Sequence, residues 1–82
     1  MMMSLIDAPR DKRLRIVDIQ GPDGVRRRLF SLGIHTGDFV EVCSQALFGG
    51  PILVKDQEKG TCIAISRGIA RKIRVDVVDT HE

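Results

Sequence analysis

The sequence predicts a mainly β fold, a small five-stranded closed barrel with one short helix after the first strand and a helical turn before the last. Three observations lead there. Runs of four to six residues rich in Val and Ile recur at close spacing, as short strands do. Glycine-bearing turns separate most of them, and only one stretch carries a clear helical period. Closing such a sheet also removes the exposed edges that five strands would otherwise present.

The 82 residues allow one domain. Residues 1–12 read as a flexible leader: Met1 to Met3 add no period and Pro9-Arg10-Asp11-Lys12 is turn-like. The barrel is expected over 13–79, with 80–82 as a tail. Arg13 to Ile19 is the first strand, with Leu14 and Ile16 on one face and Val17 and Ile19 on the other. Gly21-Pro22-Asp23-Gly24 breaks it. A helix follows from Gly24 to Leu32, with Asp23 as its N-cap. Val25, Leu29 and Leu32 recur at i, i+4 and i+7, which puts them on one inward face. Gly33 ends the helix as a left-handed cap.

Beyond the turn Thr36-Gly37-Asp38, the strand Phe39 to Ser44 turns Val40 and Val42 to one side. A turn at Phe48-Gly49-Gly50-Pro51 leads to the strand Ile52 to Lys55, and a polar turn at Gln57 to Gly60 leads to Cys62 to Ile65. Ser66 caps one helical turn with Ile69, Ala70 and Ile73 inward, and Ile73 to Val78 is the last strand, with the cleanest alternation in the chain.

Several functions are set aside by what the chain lacks. The apolar runs do not exceed four residues, far short of a membrane span. No apolar signal region opens the chain, and Cys43 and Cys62 stand alone without a CxxC. A reduced, cytoplasmic protein that is not membrane-embedded is expected. Motifs for phosphate cradling, an activated serine or a zinc protease are absent, so no catalytic residue, cofactor or small-molecule substrate is assigned. Metal ligands need convergent spacing. Cys43, Cys62, His35 and His81 show none, and no metal is assigned. Cys43 lies on the face opposite Val40 and Val42, and Cys62 opposite Ile63 and Ile65, which leaves room for the two thiols to be neighbours outside the core.

Two surfaces remain. One is basic: Arg26, Arg27 and Arg28 on the helix, and Arg67, Arg71, Lys72 and Arg74 near the end, with no acid between 67 and 74. The other is an apolar hairpin tip, Ala46-Leu47-Phe48-Gly49-Gly50-Pro51, in a place where polar residues are usual. A nucleic-acid-binding barrel is the alternative reading, but a net charge of +2 and three Phe without Trp or Tyr offer little to stack bases on.

Three blocks carry a family resemblance. Arg28-Leu29-Phe30-Ser31-Leu32-Gly33-Ile34-His35-Thr36-Gly37-Asp38-Phe39-Val40-Glu41-Val42 is similar to the RLxxLGxxxG core, and following strand, of the ferrous iron transport protein A (FeoA) family. Gly49-Gly50-Pro51-Ile52-Leu53-Val54 resembles its Gly-Pro hairpin, and Ala64 to Val75 its closing segment. The order and spacing agree too. The resemblance implies an SH3-like barrel and a cytosolic accessory role, by protein–protein contact, beside FeoB, a membrane permease with an N-terminal GTP-binding domain. Leu47, Phe48, Gly49, Gly50, Pro51, Arg67 and Arg71 are the expected contact residues. Similar barrels also end metal-dependent repressors, but no helix-turn-helix region is present here.

Overall fold

The alternation of Ile73 to Val77 makes a strand that is gripped from both sides, and the sheet grows outward from it. The computed structural model describes residues 2–45 and 49–78. Its elements are β1 (Met2–Ser4), a 3-10 turn (Leu5–Asp7), β2 (Leu14–Ile19), α1 (Asp23–Ser31), β3 (Phe39–Gln45), β4 (Ile52–Asp56), β5 (Cys62–Ile65), α2 (Arg67–Ala70) and β6 (Ile73–Val77). One antiparallel sheet runs in the order β1-β6-β2-β3-β4-β5. On β6, Val75 lies opposite Met3 of β1 and Ile16 of β2.

Two expectations are corrected here. The sheet has six strands, and it does not close: among the described residues β1 and β5 are its edges. The extra strand comes from the segment expected to be a leader. Leu5 and Ala8 are buried in the core. Ser4 is buried as well; its hydroxyl donates to the Ala70 carbonyl at 3.2 Å and accepts from the Ile6 N–H at 3.2 Å. A three-residue strand shows too little alternation to be read from sequence.

The broken alternation of β2 also has a cause. The register against β6 shifts between Ile16 and Asp18, so Val17 is the extra residue of a β-bulge. The shift returns Ile19 to the inner face, where it is only 7% exposed beside the buried Leu14 and Ile16. Strict alternation had placed it outside. β3 has a second shift, between Val42 and Ser44, which makes Cys43 the extra residue there.

The helix α1 is entered without a side-chain cap: Pro22 is the N-cap and Asp23 the first helical residue, which corrects the expected role of Asp23. An acid in that position still suits the positive end of the helix. At the other end, the Ile34 N–H reaches the Leu29 carbonyl (2.9 Å) and the Gly33 N–H the Phe30 carbonyl (3.0 Å). With Gly33 at φ +88°, this is the Schellman ending. It places Leu29 and Ile34 together in the core. Leu32 does not follow the expected inward face. Its N–H is shared between the carbonyls of Arg28 and Leu29, the last turn tightens, and Leu32 is left 43% exposed.

Asp56 ends β4 as a buried acid. Its Oδ1 accepts from the N–H groups of Glu58 (2.9 Å) and Lys59 (3.0 Å), and its carbonyl from Gly60 (2.7 Å). This one side chain therefore organises the turn into β5. No helix among the described residues is long and apolar enough to cross a membrane.

Urea unfolding separates these roles. Leu29→Ala is expected to cost about 2–5 kcal/mol, whereas Leu32→Ala should cost less than about 0.5 kcal/mol. Equal losses would return Leu32 to the core. Asp56→Ala is expected to lose about 1.5–3 kcal/mol, since the acceptor of two turn N–H groups disappears; an unchanged midpoint would remove Asp56 from the turn's support.

Candidate functional site

A groove opens where the end of α1, the approach to β4, the end of β5 and the short α2 come together. The last turn of α1 contributes Arg28 and Leu32, the approach to β4 contributes Gly49 and Pro51, and the end of β5 contributes Ala64 and Ile65. Arg67 and Ile69 of α2 close the far wall. The cavity measures about 440 Å³. Its second wall is set locally by Ser66, whose hydroxyl accepts from the Ile69 N–H at 3.3 Å and starts α2, as expected of a capping serine.

The groove is apolar inside and basic at its rim. Leu32, Pro51, Ala64 and Ile69 line it, Arg28 and Arg67 stand over it, and no acidic side chain does among the described residues. The exposure of Leu32 thus belongs to a wall of the groove. Periodicity could not reveal this, because the tightened last turn rotates Leu32 away from the Leu29 face.

The expected contact residues divide. Gly49, Pro51 and Arg67 share the groove. Gly50 lies between two of them and is half-buried. Arg71 is exposed at the C-cap of α2 and does not line it. Leu47 and Phe48 lie outside the described residues, as does His81. The helix arginines fan apart, as successive residues 100° apart must. Arg28 faces the groove, while Arg26 borders a smaller hollow of about 180 Å³ with Phe30 and His35. The stem of Lys72 packs beside Gly21. The seven basic residues therefore do not form one face.

The described aromatics stay out of the core. The Arg13 guanidinium sits 4.2 Å from the centre of the Phe39 ring. Phe30 is exposed and meets His35 edge-on, with ring centres 4.6 Å apart. His35 is held by Asp38, whose Oδ2 accepts from the His35 backbone N–H at 2.7 Å and lies 3.1 Å from Nδ1. No platform of adjacent rings for bases emerges among these residues.

Cys43 lies on β3 and Cys62 on β5, with β4 between the two strands. Both are free, Cys43 half-buried and Cys62 exposed. Burial pushes the Cys43 thiol up, helped by the neighbouring Cys62 and by Glu41, while Lys55 pulls it back. The Cys43 thiol also points a weak donor at the Glu41 carbonyl, 3.8 Å away. No group of three or more His, Cys, Asp or Glu gathers as a metal site among the described residues.

The model of a family described as FeoA domain matches residues 3–77. No curated protein sequence matches the chain. Among solved structures, an iron uptake regulatory protein described as FeoA is 26% identical, with 95% of this chain and 99% of that one covered and a TM-score of 0.83. The FeoA protein of Chlorobium tepidum is 29% identical over 98% of this chain and 74% of that one, also with a TM-score of 0.83. A manganese-dependent transcriptional repressor shares the fold at a TM-score of 0.86, with 19% identity over 94% of this chain and 37% of the repressor.

Proposed function

The chain belongs to the FeoA family, a family associated with ferrous iron transport, and from that membership we propose that it is a cytoplasmic accessory or regulatory protein that acts by protein–protein contact, with the GTP-binding domain of a FeoB-type permease as partner. The groove between α1 and α2 is the docking site in this reading. One observation carries it: an exposed leucine stands in an apolar groove that, among the described residues, is lined by two arginines and no acid.

The chemistry of that groove selects a protein segment. Leu32, Pro51 and Ile69 offer an apolar seat for one large side chain, the kind of anchor that dominates small interfaces. Arg28 and Arg67 present forked donors that fit carboxylates in paired hydrogen bonds. The best occupant is a loop or short segment with an apolar residue flanked by Asp or Glu. Direct phosphate chemistry fits less well. Gly49-Gly50-Pro51 leads into β4, not into a helix whose N-terminus would cradle phosphates. No enzymatic step is assigned to this chain.

Calorimetric titration with the GTP-binding domain of FeoB from the same organism, with and without nucleotide, tests the reading. Saturable binding is expected, with Leu32→Asp and Arg67→Glu each weakening it by about tenfold or more, or at least ~1.4 kcal/mol. Lys12→Glu, away from the groove, should bind as the parent does. Absence of binding in every nucleotide state would sink the choice of partner. Parent-like binding by Leu32→Asp would sink the choice of groove.

A further inference from the structure

One wall of the groove belongs to β5, an edge of the sheet. β5 pairs with β4 on one side, and among the described residues no strand lies on its other side. The phase of the ladder tells which backbone groups are left over. The Asp56 N–H donates to the Thr61 carbonyl at 2.8 Å, so these two residues form a hydrogen-bonded pair. Such pairs alternate with non-bonded ones along an antiparallel ladder. Ile63 and Ile65 therefore turn their N–H and C=O groups toward Val54 and Ile52. Cys62 and Ala64, opposite Lys55 and Leu53, turn theirs away from β4. The neighbouring ladder agrees. There the Gln57 N–H donates to the Phe39 carbonyl at 3.0 Å, which commits the backbone groups of Lys55, opposite Glu41, to β3.

The N–H and C=O groups of Cys62 and Ala64 thus point off the edge, and both residues are exposed. Edge strands usually carry something that keeps other strands away, such as a charge, a proline or a bulge. Cys62–Ile65 has neither charge nor proline, and its register against β4 is unbroken. The exposed side chains at Cys62 and Ala64 are small. Ala64 lines the groove, together with Ser66 and Arg67, which continue the chain from β5 into α2.

We propose that the segment docked in the groove is held as an added strand along β5, its backbone bonded to Cys62 and Ala64. This rests on the groove being the docking site and adds the form of its occupant: an extended chain. Main-chain bonds of this kind supply affinity, and side-chain pockets supply selection. The apolar seat at Leu32 and Ile69 takes a large apolar side chain, and Arg28 and Arg67 take Asp or Glu beside it. The same arginines argue against a second copy of this chain as occupant. No acidic residue occurs from Lys59 to Val75, so two β5 edges paired together would bring no carboxylate from the strand or its flanks.

A capped peptide alternating Val or Leu with Glu, titrated into the full chain, tests this, with amide exchange followed by NMR. Saturable binding is expected, with exchange at the Cys62 and Ala64 amides slowed by about tenfold or more. N-methylation of alternate peptide residues removes donors and keeps every side chain. In one phase it should weaken binding by about tenfold or more, and in the other phase, which faces solvent, it should change little. Ala64→Pro deletes an N–H that the β4 ladder does not use, and should weaken binding by about fivefold or more. Cys62→Pro does the same if Ala64→Pro fails to fold. Binding that Leu32→Asp abolishes but N-methylation in either phase leaves alone would keep the groove and overturn the added strand. Protection and N-methylation effects that persist in Leu32→Asp would keep the strand on the edge and remove the groove reading. No binding at about 1 mM peptide would overturn the proposal. So would protection of the same amides in the peptide-free chain that grows with protein concentration, since a second copy would then occupy the edge.

Discussion

Side chains on a strand alternate with a period of two, and this chain has to break that period to fill its core. Val17 on β2 and Cys43 on β3 are the two extra residues. Without the first, Ile19 would face solvent and the inner row of Leu14 and Ile16 would stop one residue short. A domain of this size buries a limited share of its surface, so each inward apolar side chain counts. On β3 the same device makes Cys43 the extra residue, and it stays out of the core cluster.

The groove arises from endings. Helix α1 stops in a Schellman turn, β5 stops at Ile65, and α2 starts at a serine cap. The end of α1 and the start of α2 are each satisfied by their own hydrogen bonds, so side chains beside them are free to face outward. Leu32 is the clearest case: the turn that commits Leu29 and Ile34 to the core also releases Leu32 from it. The exposed leucine and the flanking arginines are thus consequences of how the helix is finished.

The FeoA-like, SH3-like architecture is shared with repressors far longer than this chain, so the fold alone does not distinguish a partner. Surface chemistry carries the functional reading here: a basic-rimmed apolar groove between α1 and α2.

Five of the strands, both helical pieces and the Gly33 cap were legible in the residues, because β-branched alternation, a helical period and a glycine at a forced left-handed position are local properties. The family blocks were legible for the same reason: most of their residues are caps, turns and core positions. The sixth strand was not, since Met2–Ser4 gains its meaning only from pairing with β6. Nor was the open sheet, which depends on where β1 and β5 come to lie. Of the site, Gly49, Pro51 and Arg67 were among the expected contact residues, but so was Arg71, which lies off the groove, and Leu32 was assigned to the core. Local period cannot register a tightened final turn, and charge counts along a chain carry no direction in space. Alternation alone left the relative placement of Cys43 and Cys62 open. The bulge at Cys43 was hidden too, because register between strands is a long-range property that no stretch of sequence carries within itself.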